Sequence, residues 1–94
     1  MDKLRAMRMF VRVVDAGSFT SVANELNVTT SMISKEIGRL EEDLGVRLLH
    51  RSTRGQQLTS IGEGYLERCR KLLVQVDDAD AYVQHMQDNP RGKL

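Results

Sequence analysis

The chain has 94 residues, with 14 Lys/Arg against 13 Asp/Glu, a formal net charge of +1 and one cysteine. This length suits a single domain with a modest core, and a lone cysteine excludes an intramolecular disulfide framework. The total charge does not by itself indicate a nucleic-acid-binding protein, but its distribution does. Residues 46–62 contain no acid, and Arg47, Arg51 and Arg54 there form a candidate phosphate-binding patch.

The first predicted helix covers residues 2–16, and Gly17 can supply the left-handed residue that ends it. Arg8 and Arg12 interrupt its apolar run. The sequence therefore predicts no signal peptide, no membrane span and a cytoplasmic protein. The apolar side chains that recur at helical spacing, and that we expect to be buried, are Leu4, Met7, Phe10, Val11 and Val14.

Two more helix starts follow in close succession, because hydroxyl side chains accept hydrogen bonds from the free N–H groups of a first turn. Thr20 or Ser21 can cap a short helix over residues 21–27, and Thr29 or Thr30 can cap a helix over residues 31–44. Phe19 is expected between the helices. The predicted buried faces comprise Val22, Ala23 and Leu26 in the short helix and Ile33, Ile37, Leu40 and Leu44 in the longer one.

The other face of the longer helix carries small or cationic side chains, concentrated toward its front. A helix that enters a DNA major groove needs this arrangement, because small hydroxyls permit close approach and cations meet phosphate or guanine. The alternative is an ordinary solvated helix face. The residues concerned are Ser31, Ser34, Lys35, Gly38 and Arg39.

The sequence of residues 46–59 predicts a small β-hairpin, and the turn of this hairpin would carry Arg54 beside the flexible Gly55. A basic hairpin directly behind a helix-turn-helix is typical of the wing of a winged helix. An arginine at its tip would be favoured by the negative potential of a minor groove. The alternative is an exposed turn that carries an incidental arginine.

A long helix is predicted from Thr59 or Ser60 to about Gln87, ~42 Å in length. Ser60 and Glu63 fit a capping box, and Asn89 and Pro90 stop the helix. Its apolar side chains form a heptad seam, which indicates pairing with a second copy of the chain. The alternative is that the helix packs only on its own domain. The predicted dimerisation residues are Tyr65, Cys69, Leu72, Val76, Ala79, Val83 and Met86.

No arrangement of residues suits catalysis. His50 and His85 lack metal-ligand spacing, and Cys69 lies on the apolar seam. We therefore expect no enzyme, no metal and no cofactor. The predicted fold is mainly α: a winged helix-turn-helix of three helices and a small β-hairpin over residues 1–58, then a dimerisation helix over residues 59–88.

The combination of these motifs resembles the N-terminal domain of LysR-type transcriptional regulators. The resemblance implies sequence-specific binding of double-stranded DNA by a homodimer that reads an inverted repeat. It also implies that residues 89–94 begin a hinge to an effector-binding domain, and that the full-length protein is a tetramer regulated by a small molecule. The residues on which this resemblance rests are Phe10, Gly17, Ser18, Phe19, Thr20, Ala23, Leu26, Ser34, Lys35, Ile37, Leu40, Glu41, Leu44, Gly45, Leu48, Leu49, Arg51, Arg54, Leu58, Thr59 and Gly62.

The resemblance also assigns roles to single residues. Thr30 and Ser31 would meet bases, although Thr30 stands where the family often has glutamine, so the resemblance does not assign the preferred bases. Arg54 would be the wing arginine. The rival hypothesis is a dimeric protein-interaction module that never touches DNA. The complete set of expected DNA contacts is Thr20, Ser21, Thr29, Thr30, Ser31, Ser34, Lys35, Arg39, Arg51 and Arg54.

Overall fold

A computed structural model describes residues 2–52 and 55–88. Within them the chain forms three helices, an antiparallel hairpin and a long fourth helix, which confirms the predicted winged helix-turn-helix with a C-terminal helix. None of the helices in these residues is long and apolar enough to cross a membrane. The elements are α1 (Lys3–Ala16), α2 (Phe19–Leu26), α3 (Thr30–Leu44), β1 (Leu49–Ser52), β2 (Gly55–Leu58) and α4 (Ser60–Asp88).

The start of α2 differs from the prediction. Ser18 is the N-cap: its backbone is extended, and its hydroxyl accepts a hydrogen bond from the Ser21 N–H at 3.1 Å. Neither Thr20 nor Ser21 caps the helix, and Phe19 becomes its first residue. Asn27 then ends α2 in the left-handed conformation, with φ of 57°.

The boundaries of α3 follow the predicted pattern closely. The Thr29 hydroxyl accepts a hydrogen bond from the Met32 N–H at 3.1 Å, and Gly45 ends the helix with φ of 73°. That left-handed backbone favours glycine, because any side chain there would be strained. The helix therefore has a fixed N-terminal end, which is the end that the sequence assigns to DNA.

The hairpin is attached to α3 by Glu41. Its Oε2 accepts hydrogen bonds from the backbone N–H groups of Leu48 and Leu49, at 2.8 and 3.2 Å. The strands pair in antiparallel register, with Arg51 opposite Gln56. A second attachment comes from β2, where Gln56 Nε2 donates to the Val13 carbonyl of α1 at 2.8 Å. The hairpin is thus held against both helices.

The core is mainly aliphatic, with Phe10 and Phe19 as its aromatic members, and the predicted buried faces are largely confirmed. Two predictions were wrong: Leu4 is 39% exposed and Leu26 is 36% exposed. Both lie in the terminal turn of a helix, at the edge of the core. The buried set includes Ala6, Met7, Met9, Phe10, Val13, Phe19, Val22, Ala23, Ile33, Ile37, Leu40, Leu48, Leu49 and Cys69.

The first turn of α4 packs tightly against the hairpin. Thr59, one of the two predicted starts of the helix, is the N-cap, since its Oγ1 accepts a hydrogen bond from the Gly62 N–H at 2.8 Å. The capping box predicted from Ser60 was wrong, because Ser60 is already inside the helix. A Cβ added to Gly62 would lie 2.1 Å from the Leu48 carbonyl oxygen. Only glycine fits there, and this close contact fixes where α4 leaves the body of the domain.

The predicted heptad seam of α4 divides into two parts. Cys69 is fully buried in the domain's own core, so its assignment to a dimer contact was wrong. Tyr65 is partly buried, with its ring centre 5.8 Å from that of Phe10, and burial raises its pKa to about 12. The rest of the seam stays on the surface, as Leu72 and Val83 do, at 44% and 54% exposure.

Ion pairs join α1 to α2, α3 and α4. Arg70 donates two hydrogen bonds to the Asp15 carboxylate, at 2.7 and 3.2 Å, and Arg8 pairs with Asp77 at 2.7 Å. Both pairs hold α4 against α1. The remaining pairs reach α2 and α3 from α1: Arg12 with Glu25, Arg5 with Glu36 and Lys3 with Asp43.

Candidate nucleic-acid interface

The candidate interface begins with the outer face of α3. The apolar residues Ile33, Ile37 and Leu40 turn inward and are fully buried. With one face fixed in the core, the 3.6-residue period turns Ser31 and Lys35 outward, and both are exposed. The helix therefore presents a hydroxyl and an ammonium group on a surface that no other part of the described chain covers.

Arg51 of β1 joins this face to the neighbouring elements. Its Nη2 donates a hydrogen bond to the Ser34 hydroxyl of α3 at 2.7 Å. Its guanidinium carbon lies 3.9 Å from the centre of the Phe19 ring, at the start of α2. A guanidinium over an aromatic face is held by a cation–π interaction. Arg51 thus brings the hairpin, α2 and α3 together on one side of the molecule.

The cations of α3 differ from those of α1 in their partners. The arginines of α1 are paired with carboxylates of neighbouring helices. Among residues 2–52 and 55–88, neither Lys35 nor Arg39 forms an ion pair, and both are exposed. The charge of α1 is therefore neutralised locally, whereas the charge on the outer face of α3 remains available to an anion.

Hydroxyl groups surround the starts of both helices of the helix-turn-helix. At α2, Thr20 and Ser21 lie in the exposed first turn, where Ser18 Oγ donates to Ser21 Oγ at 2.8 Å. At α3, the Thr29 oxygen already accepts from the backbone, while Thr30 and Ser31 follow on the exposed surface. Helix N-termini present free N–H groups and a partial positive charge, which suits phosphate.

The structure leaves most of the predicted DNA contacts accessible. Arg54 lies outside the described residues, so its placement at the wing tip stays a prediction. The sequence did not predict that the ring of Phe19 supports Arg51, because helical spacing carries no information about this contact. It also did not predict the hydrogen bonds of Glu41 to the hairpin. The accessible predicted residues are Thr20, Ser21, Thr29, Thr30, Ser31, Ser34, Lys35, Arg39 and Arg51.

The described part of the chain holds no group of three or more His, Cys, Asp and Glu side chains arranged to bind a metal ion. Burial raises the pKa of the Cys69 thiol, which disfavours the reactive thiolate. The chemistry on the surface is therefore that of hydroxyls, ammonium and guanidinium groups, which bind anions through hydrogen bonds and charge.

Comparison with known proteins identifies the class to which this arrangement belongs. Residues 4–63 match the family model for bacterial regulatory helix-turn-helix proteins of the lysR family. The chain belongs to this family, as the resemblance in its sequence indicated.

Related proteins align with this chain over its whole length. An HTH-type transcriptional repressor of Pseudomonas aeruginosa is 46% identical over 94 residues, which is 100% of this chain and 30% of that protein. The HTH-type transcriptional activator AaeR of Escherichia coli is 39% identical over 94 residues, with the same two coverages. The chain therefore spans less than a third of the length of these relatives.

Solved structures share the fold over nearly the same extent. The complex of the BenM DBD with catB site 1 DNA superposes with a TM-score of 0.85 at 36% identity, covering 93% of this chain and 97% of that one. The CbnR DBD–DNA complex superposes with a TM-score of 0.82 at 33% identity, covering 93% and 99%.

Proposed function

We propose that this chain is the DNA-binding part of a bacterial transcription regulator. It would bind double-stranded DNA with α3 in the major groove and the hairpin over the flanking minor groove. One observation carries the proposal: the cations on the outer face of α3 have no ion-pair partner in the described chain, and Arg51 fixes that face to the hairpin. Two neighbours in fold, the BenM and CbnR domains, were solved as DNA complexes.

The proposed contacts divide by chemistry. Thr30 and Ser31 at the start of α3 would meet base edges, and Lys35 would meet phosphate or guanine. The wing arginine, Arg54, would lie in the minor groove. The remaining contacts, which position the protein on the backbone, would come from Thr20, Ser21, Thr29, Ser34, Arg39 and Arg51.

The chain would bind DNA as a dimer with a second copy of itself. Pairing helices bury an apolar row at heptad spacing. On α4 this row comprises Leu72, Ala79 and Val83, which are exposed, and Val76 and Met86, which are partly buried.

A dimer of this kind would present two copies of α3 to one duplex and would read an inverted repeat. Because the relatives are more than three times as long, we propose that the whole regulator also carries an effector-binding domain, binds a small molecule there and assembles as a tetramer. Binding of the regulator to the bacterial chromosome would take place in the cytoplasm. The relatives are named as regulators of transcription, and we propose no enzymatic activity for the chain.

Selection of bound sequences from a random duplex pool tests this function. We expect enrichment of an inverted repeat, whose spacing gives the distance between the two recognition helices. A gel-shift titration against random duplex at low salt separates the rival function. Non-specific DNA binders have a Kd of ~10⁻⁴–10⁻⁶ M, so the absence of any shift at the upper end of that range would favour a protein-interaction module.

A further inference from the structure

Gly38 lies in the middle of α3, where its own chain gives no reason for a glycine. Glycine is the least favourable helix residue after proline, because it loses the most backbone freedom on folding. Apart from the neighbouring backbone of α3 itself, a Cβ added at this position would meet no atom of the described chain within 4 Å, in contrast to Gly62. Its backbone is also helical, so a left-handed conformation is not the cause. The space beside Gly38 is open, and alanine would suit the isolated helix better.

That space is one side of a concave surface between α3 and β1, which we call the α3–β1 notch. Gly38 follows Ser34 by one helical turn on the same face, so both line the notch from α3. The hairpin and the turn before it supply the opposite wall. The lining residues are Ser34, Gly38, Glu41, Arg47, His50 and Arg51.

The notch has a positive balance of fixed charge. Arg51 is held in place by the Phe19 ring and by its hydrogen bond to Ser34. The carboxylate of Glu41 is the opposing charge, but its Oε2 accepts two backbone N–H groups and its Oε1 lies 3.8 Å from Arg47. Two guanidinium groups therefore face a single, already engaged carboxylate, and one of them has a fixed orientation.

We propose that Gly38 keeps the α3–β1 notch open for a phosphate of the DNA backbone, which Arg51 and Arg47 bind. This inference rests on the proposed function and adds a residue that determines how closely the duplex approaches α3. A phosphate oxygen between two guanidinium groups forms charge-assisted hydrogen bonds, and these depend on distance. A methyl group at position 38 would occupy part of this open space on the α3 side and hold the phosphate farther from Arg51.

The test compares Gly38→Ala with Gly64→Ala, a matched change in the interior of α4. An added Cβ at Gly64 meets only Arg68 Nη1, at an ordinary 3.7 Å. Both substitutions should raise the melting temperature by about 2–6 °C, since each replaces a helical glycine where space allows. Only Gly38→Ala should weaken binding to a selected duplex, by about tenfold or more, the value of one charge-assisted hydrogen bond.

A salt series gives an independent reading. Loss of one phosphate contact should reduce the slope of log K against log salt by about 1 for Gly38→Ala and leave it unchanged for Gly64→Ala. Equal affinity of Gly38→Ala and the wild-type protein would overturn the inference while leaving the proposed function intact. A wild-type protein that binds no duplex would refute the proposed function itself. Equal weakening by both variants would show a general effect on the fold and would also overturn the inference.

Discussion

The guanidinium carbon of Arg51 lies 3.9 Å from the centre of the Phe19 ring, while Nη2 of the same group donates to Ser34 at 2.7 Å. One side chain of the hairpin thus contacts the first residue of α2 and the outer face of α3. The planar guanidinium stacks on the ring and donates a hydrogen bond at the same time, a geometry that a compact ammonium group on a flexible stem does not reproduce. Arg51 therefore links the wing to the recognition helix as well as carrying charge.

The first prediction concerns Arg51→Lys, which keeps the charge and loses the planar fork. We expect DNA affinity to fall about tenfold, with little change in the salt slope because the positive charge remains. Fluorescence anisotropy with a labelled duplex over a salt series measures both quantities. Full affinity in the lysine variant would mean that Arg51 acts only as a point charge. Arg68→Lys is a suitable control, because Arg68 bonds only the Gly64 carbonyl of its own helix at 3.0 Å within the described chain.

The second prediction concerns pH and the contact between α1 and α4. The hydrogen bonds from Arg70 lower the pKa of Asp15 from its usual 3.8. A carboxylate with a lowered pKa stabilises the fold above its ordinary pKa, and this stabilisation is lost as pH falls through the lowered value. Both side chains of the pair are about half exposed, so solvent screens their attraction and the contribution to stability is small.

Asp15→Asn should therefore lower the melting temperature at pH 7, and this deficit should shrink as the pH falls below the usual pKa of Asp15 toward pH 2. Thermal unfolding monitored by circular dichroism at the two pH values tests this. Asp78→Asn is the control, since Asp78 forms no ion pair within the described residues. If the melting temperature of Asp15→Asn stayed below that of the wild type by the same amount at the lower pH, the ion pair would be excluded as the cause.

The third prediction concerns the dimer. Val83 and Val74 are both exposed residues of α4, at 54% and 67%, and nine positions place them on opposite sides of the helix. Val83 belongs to the apolar row and Val74 does not. Val83→Lys should convert the dimer to a monomer, because it puts a charge in the apolar contact, whereas Val74→Lys should leave it dimeric. Sedimentation at several protein concentrations measures the oligomeric state of each variant. The proposed seam would be contradicted if both variants dissociated to the same extent.

Much of this fold is readable from the sequence, because its helices carry clear local signals. The apolar spacing of Ile33, Ile37 and Leu40 predicts the buried face of α3, and Gly45 predicts its end. The start of α2 was predicted two residues late, because three hydroxyl residues stand near one another and local rules do not rank Ser18 above Thr20. Backbone conformation, which depends on how α1 turns into α2, selects Ser18.

The contacts between elements were not readable in the same way. The heptad pattern of α4 does not distinguish packing on the domain's own core from packing on a partner, so Cys69 was assigned to the wrong surface. The placement of Arg51 over Phe19 and the hydrogen bonds of Glu41 both join residues from different elements. Such contacts depend on how helices and hairpin pack, for which periodicity carries no information.

The central claim is that the outer face of α3 lies against the phosphates and bases of a duplex. Binding of wild type, Lys35→Ala and Lys71→Ala to one duplex over a salt series tests it most directly. Lys71 is also an exposed lysine, and it pairs with Glu67 on α4, at 3.4 Å. We expect Lys35→Ala alone to weaken binding and to reduce the slope of log K against log salt by about 1. Identical affinity and slope for Lys35→Ala and wild type would contradict the placement of α3 on DNA.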